Sequence, residues 1–326
     1  MRAVRSLLPV WFVVCFWAGA EARAQDVVAP ARAQGVASPA HGAESAAATL
    51  PAVLPPRPGL PPSQREQTLK LGYNVYVGGL NIFAFTIELA LGPEVYSLKG
   101  DGESRGMARM FWRWSTHLAA GGNVGAEGVR PQIYNVDTRS SRRDQSMQLS
   151  FDENGKYTIR RTPPDTPHRK AKRDLPPIVP KGTVDPLSFA LLLARDVVGG
   201  KGCKGRHPIF DGNRRYDLVF TDMGESSLAA TPYSVFAGKA RRCQFEMVRI
   251  SGFRTPRDYI RFWDEDNLDP PEIFIAPIVA GLPPVPVRAT GDLNMGGLRI
   301  YLVWAEHGGK PVFPGGVRPE LRYVRK

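Results

Sequence analysis

From Leu69 onward, apolar and polar residues alternate with a period of two over most of the chain, the pattern of strands with one face on a core. Leu69, Leu71, Tyr73, Val75 and Val77 share a face; Gly78-Gly79 turns the chain; Ile82 to Leu91 returns with Phe83, Phe85, Ile87 and Leu89 inward. This predicts a hairpin. Val95 to Gly100 follows as a third strand, then Gly128 to Asp137. Ser146 to Phe151 and Lys156 to Arg161 flank Asp152-Glu153-Asn154-Gly155, where Asn-Gly suits the positive φ angles of a tight turn. Asp211-Gly212-Asn213 predicts a turn before a strand over Tyr216 to Thr221. Further strands are expected at Tyr233–Ala237, Arg241–Ile250, Tyr259–Trp263 and Glu272–Ile278, and Val285–Val287 should pair with Leu298–Trp304. A twisted sheet of about ten short strands curls rather than lying flat. The predicted fold is mainly β: a curled antiparallel sheet, a half-barrel or open barrel, packed around one or two helices.

One segment breaks the period. Asp185-Pro186-Leu187-Ser188-Phe189-Ala190-Leu191-Leu192-Leu193-Ala194-Arg195-Asp196-Val197-Val198 has an N-cap aspartate, a proline at the first helical position and a Gly199-Gly200 stop. Its apolar residues cover nearly every face, so the helix should be enclosed by protein. It is too short to span a bilayer. The picture is a helix plugging the concave side of the sheet. Met107 to Ala120 carries both periods, a helical turn leading into a strand that starts near Trp112. Its methionines and tryptophans suit either an apolar pocket or ordinary core packing.

Composition adds the envelope. Arg2 and Arg5 precede an apolar run from Leu7 to Ala20, and Ala22-Arg23-Ala24 fits a leader-peptidase site. Residues 1–24 are therefore expected to be a signal peptide, and the protein periplasmic, with no transmembrane segment in the mature chain. Residues 25–66, rich in Ala and Pro, bury too little to offset ordering entropy and are expected to be a disordered tether. Residues 67–305 should form a single β domain, and 306–326, with Gly308-Gly309 and Gly315-Gly316, a flexible tail. Of three cysteines, Cys15 lies in the leader, leaving Cys203 and Cys243 as an expected disulfide in an oxidising compartment. The net charge is +12; the leader carries three arginines and one glutamate, so the mature chain keeps about +10. Export argues against nucleic acid and turns this charge toward lipid headgroups or anionic polymers. Arg160 to Gly182 has no periodicity and predicts a long exposed loop. Its Arg160, Arg161, Arg169, Lys170, Lys172 and Arg173 are candidates for an anionic partner.

No catalytic constellation emerges. His41, His117, His168, His207 and His307 form no metal-spaced pair. Ser188 lacks the glycines of a nucleophile elbow. Asp264-Glu265-Asp266-Asn267-Leu268-Asp269 begins like a calcium loop but lacks the sixth-place glycine and twelfth-place glutamate. No metal, cofactor or enzymatic activity is expected.

Several motifs in order resemble a proteobacterial envelope family catalogued as domain of unknown function 3108. They are Tyr73-Asn74-Val75-Tyr76 with Gly78-Gly79; Val184-Asp185-Pro186-Leu187-Ser188; Asp211-Gly212-Asn213-Arg214-Arg215-Tyr216; Gly238-Lys239-Ala240 with Cys243; Arg249-Ile250-Ser251-Gly252; and Pro286-Val287-Arg288. The resemblance implies a periplasmic β domain shaped like the half-barrel of lipoprotein carriers, and it brings no catalytic residues. Two functional expectations follow. One is a hydrophobic or amphiphilic ligand, such as a lipid, held between the sheet and the Asp185–Val198 helix, with Phe83, Phe85, Trp112, Trp114 and Phe189 as candidate lining. The other is an assembly factor that binds an envelope protein or anionic polymer without a cavity.

Overall fold

The computed structural model describes residues 67–314, apart from 127, 142, 153, 165–174, 254–268 and 294–295. Along the chain run β1 (Gln67–Val77), β2 (Leu80–Leu91), β3 (Val95–Ser104), α1 (Gly106–Phe111), β4 (Trp114–Gly125), β5 (Gly128–Ser140), β6 (Gln145–Phe151), β7 (Tyr157–Thr162), α2 (Pro186–Val198), β8 (Gly205–Phe210), β9 (Arg215–Leu228), β10 (Gly238–Ser251), β11 (Glu272–Ala276), β12 (Val285–Leu293), β13 (Gly296–His307) and β14 (Lys310–Val312).

All strands belong to one open antiparallel sheet in the order β7-β6-β5-β4-β3-β2-β1-β13-β12-β11-β10-β9-β8, with β14 on β13. Two meanders, β1 to β7 and β8 to β13, thus meet along β1 and β13, from Leu69 opposite His307 to Val77 opposite Leu298. The outermost strands, β7 and β8, are consecutive in the chain, and α2 lies in the connection between them. Among the described residues the two edges exchange no ladder hydrogen bonds; they meet through side chains. Phe210 of β8 packs against Tyr157 at 4.6 Å and Phe151 at 6.4 Å between ring centroids. Arg161 of β7 donates to the Gly212 carbonyl at 2.6 Å. Val184 adds a parallel bridge to Ile209, with Val184 donating to the Pro208 carbonyl and Phe210 to the Val184 carbonyl. These contacts cover edges that would otherwise template pairing with another chain.

Inward residues of both meanders wrap α2 and divide the core in two. Leu187 and Leu191 join a large cluster that runs from β1 to β6 and continues through β13, β12 and the β9–β10 connection. Phe189 and Leu193 join a smaller one with Ile209, Tyr216, Leu218, Phe220 and Ile275. The Cys203–Cys243 disulfide lies buried in the second cluster and ties the chain after α2 to β10, with Cα atoms 6.0 Å apart. The pairing of β12 with β13 begins at Arg288 opposite Tyr301. Short of that point the β9–β10 connection takes β12's place, with Val235 N–H and Ser234 Oγ both donating to the Leu302 carbonyl.

Several local expectations change. Tyr233–Ala237 is not a strand: Ser234 caps the Phe236 amide and the segment wedges against β13, so its apolar Val235 and Phe236 are buried from a loop. The Arg160–Gly182 segment is not uniformly an exposed loop. Residues 160–162 pair in β7, and Val179 is buried, its amide bonded to the Gly155 carbonyl. Met107 and Met110 line neither core nor pocket; both are exposed on α1. The hairpin across Gly308-Gly309 extends β13 to His307 and adds β14, where a tail was expected. The expected signal peptide, tether, Tyr259–Trp263 strand and calcium-like run through Leu268 fall outside the described residues, as do Arg169, Lys170, Lys172, Arg173 and residues 315–326.

Candidate functional site

The site is built on α2. Asp185 has extended backbone geometry, and its Oδ1 accepts the Leu187 and Ser188 amides at 3.0 Å each. Its Oδ2 accepts the Ser188 hydroxyl at 2.5 Å, and Ser188 Oγ lies 2.6 Å from the Tyr96 hydroxyl of β3. This chain of three buried groups locks the helix start to the sheet. Burial pushes the Asp185 carboxyl up to about 6, against its hydrogen bonds to Ser188 and Leu187, which pull it down. The Tyr96 hydroxyl is also driven upward, first by burial and then by the Asp185 charge. With Ser188 fully enclosed, the trio has no room for a substrate and holds the helix in place.

Where α2 passes β1, β2 and β3, its large residues give way to Ala190 and Ala194, one turn apart. The missing side-chain volume leaves a cleft of about 80 Å³ beside Leu191, bounded on the sheet side by Leu71, Tyr73, Phe85, Ile87, Leu89, Leu98, Ala289 and Ile300, and by Pro283-Pro284 and the start of β12 at Val285-Pro286. Tyr73 stacks on Phe85 at 4.7 Å and turns its hydroxyl away to the Pro286 carbonyl at 2.9 Å, so the ring supplies apolar wall. Burial raises that hydroxyl's pKa and keeps it neutral. Arg288 borders the cleft, its guanidinium over the Tyr301 ring at 5.4 Å. Drug-sized ligands usually occupy roughly 300–1,000 Å³, so this cleft has the volume of a chain end or a small apolar group and not of a whole lipid.

The expected lining divides. Phe85 lines this cleft. Phe83 and Phe85 both line a neighbouring void of about 20 Å³ beside Leu187, room for one water. Trp112 and Trp114 stack on each other at 5.6 Å, and Trp114 packs on Phe83 at 5.1 Å, as ordinary core on the far side of Phe83. Phe189 faces away from the cleft, against Phe220 at 5.6 Å and His207 at 5.4 Å. Ala190, Ala194 and Pro283-Pro284 carry none of the large aromatic side chains that mark the expected lining. Two alanines four apart in a leucine-rich helix are the signal that would have found them. Of the basic candidates, Arg160 is exposed on β7 and Arg161 is engaged with Gly212.

The Asp211-Gly212-Asn213 motif also acquires a role. Asp211 Oδ1 accepts the Asn213 and Arg214 amides at 2.7 and 2.6 Å, and Gly212 takes φ +80° against Met147. The Gly212 carbonyl thereby faces Arg161, so the turn welds the sheet edges. Burial raises the Asp211 carboxyl, partly offset by Arg214. Among the described residues no group of His, Cys, Asp and Glu is placed to hold a metal ion, and no helix is long and apolar enough to cross a membrane.

No curated protein matches the chain. Among solved structures, it is similar to a β-barrel-like protein of domain of unknown function DUF1849 from Brucella abortus, at 11% identity and a TM-score of 0.44, over 75% of this chain and 99% of that one. The family model described as "Protein of unknown function (DUF3108)" matches residues 72–303, and the chain belongs to that family.

Proposed function

We propose that this is an exported, non-enzymatic envelope protein that holds the apolar end of an amphiphile in the cleft between α2 and the sheet. The observation that carries the proposal is the alanine pair. A helix that fills the interior elsewhere with leucine and phenylalanine withdraws its side chains at one place, opposite an apolar wall. The leader pattern and the buried disulfide support export. An amphiphile would seat its tail against Tyr73, Phe85 and Leu98 and leave its polar part outside, since the cleft is too small to enclose it.

The test is native mass spectrometry and lipid extraction of the protein purified from the periplasmic fraction, beside an Ala190→Leu/Ala194→Leu variant. The expected outcome is a near-stoichiometric amphiphile on the wild type and none on the variant. Filling a void also adds roughly 0.8 kcal/mol per buried methylene, so the variant should resist urea as well as the wild type does. A wild type that carries no amphiphile, or a filled variant that retains one equally, would overturn the proposal.

A further inference from the structure

We infer that α1 is a membrane-contact element that seats the protein on an anionic bilayer surface, independently of the cleft. The chain leaves the sheet at Ser104: Arg105 N–H donates to the Ile82 carbonyl at 2.9 Å, and Gly106 takes φ +53° beside the Asn81 carbonyl. The six-residue helix that follows buries none of its residues. Ala108 alone of α1 packs against the core, and the chain re-enters through Trp112, whose amide bonds to the Ala108 carbonyl at 2.8 Å. The helix is thus tied to the sheet where the chain leaves and closed by a backbone bond where it returns.

Its outer stripe is apolar at spacings i, i+3 and i+4, with Met107 62%, Met110 82% and Phe111 77% exposed. Three large apolar side chains held on one turn lie outside the core. Exposed apolar groups rimmed by polar ones mark contact surfaces. The rim here is cationic. Arg109 lies on the helix, Arg113 follows it, and Arg139 is exposed on β5 opposite Ser115 of β4. Glu103 is engaged by Arg105 at 2.6 Å and Arg109 at 3.3 Å, whereas Arg113 and Arg139 have no carboxylate partner among the described residues. Apolar tips with arginines on and after the helix match the acyl boundary and phosphate layer of an anionic leaflet, where methionine and phenylalanine insert and guanidinium groups meet phosphates.

The test is flotation of the full chain with phosphatidylcholine vesicles, with and without phosphatidylglycerol. The wild type is compared with Met110→Glu/Phe111→Glu and with Arg109→Glu/Arg113→Glu. The amino-terminal apolar run is common to all three proteins, so differences report α1. The wild type should float with phosphatidylglycerol vesicles and less so in high salt, and each variant should lose about tenfold in partitioning with its melting temperature unchanged. Variants that float as the wild type does, or a wild type that floats with neither vesicle, would overturn the inference. So would a wild type that sediments as a dimer and is made monomeric by Met110→Glu/Phe111→Glu, because the stripe would then be a self-association surface.

Discussion

The buried carboxylate at the start of α2 makes stability depend on pH in a direction opposite to ordinary acid denaturation. Asp185 is fully buried, and burial raises its carboxyl from 3.8 to about 6 despite two amide donors and the Ser188 hydroxyl. Between about pH 4 and pH 6 the folded protein holds a proton that the unfolded chain has released, so this group's contribution falls as pH rises through that window and is level above it. A displacement of about two units corresponds to roughly 3 kcal/mol. Asp185→Asn removes the titration. It keeps an oxygen for the Leu187 and Ser188 amides and presents an N–H₂ donor where Oδ2 accepted, which turns the Ser188 hydroxyl toward Tyr96. The assay is urea unfolding of wild type and variant by tryptophan fluorescence, with the disulfide intact, at intervals from pH 4 to pH 7. The difference between the two unfolding free energies should drift by roughly 3 kcal/mol in the variant's favour as pH rises. Titration of other groups, including the raised Asp211, cancels in that difference. Parallel stability curves across the range would refute the reasoning, because Asp185 would then ionise equally easily in both states.

Two further outcomes concern the disulfide and the ion pair at the start of β9. Reducing Cys203–Cys243, which closes a separation of 40 residues, should lower stability by about 4 kcal/mol in the chain-entropy model; intact mass after alkylation should show both thiols blocked before reduction and open afterwards. Asp217 faces Arg215 and Arg206, each at 2.5 Å, with Arg215 buried. Asp217→Ala should therefore cost roughly 3–5 kcal/mol by stranding a buried guanidinium, read as a lower urea midpoint, whereas removing an exposed pair such as Lys239–Glu225 should change almost nothing.

Local chemistry made much of the framework legible from the chain alone. The period of two along β1 and β2 sets which face is buried, because a one-residue slip would expose Leu69, Leu71 and Tyr73 together. Asp185, Pro186 and Gly199 mark the helix ends through backbone groups that need partners within a turn, and the structure shows the expected cap. With Cys15 assigned to an expected leader, Cys203 and Cys243 had one pairing to make, and the structure shows it. Failures came where a long-range partner decides the outcome. Val235 and Phe236 have strand chemistry, yet they pack from a loop, because β12 and β13 diverge and leave the Leu302 carbonyl open. Met107, Met110 and Phe111 have the composition of a core stripe and lie outside it, because the sheet beneath α1 is already filled by Trp114 and Phe83.

The candidate cleft shows the same division. Sequence specified a buried apolar helix and a curled sheet around it, since periodicity and capping are properties of neighbouring residues. Which side of that helix fits tightly and which leaves space was decided by the tertiary structure. Phe189 closes one side against Phe220 and His207, while Ala190 and Ala194 open the other beside Tyr73 and Phe85. A void is the difference between two surfaces brought together from distant parts of the chain, and its volume is encoded in neither surface alone.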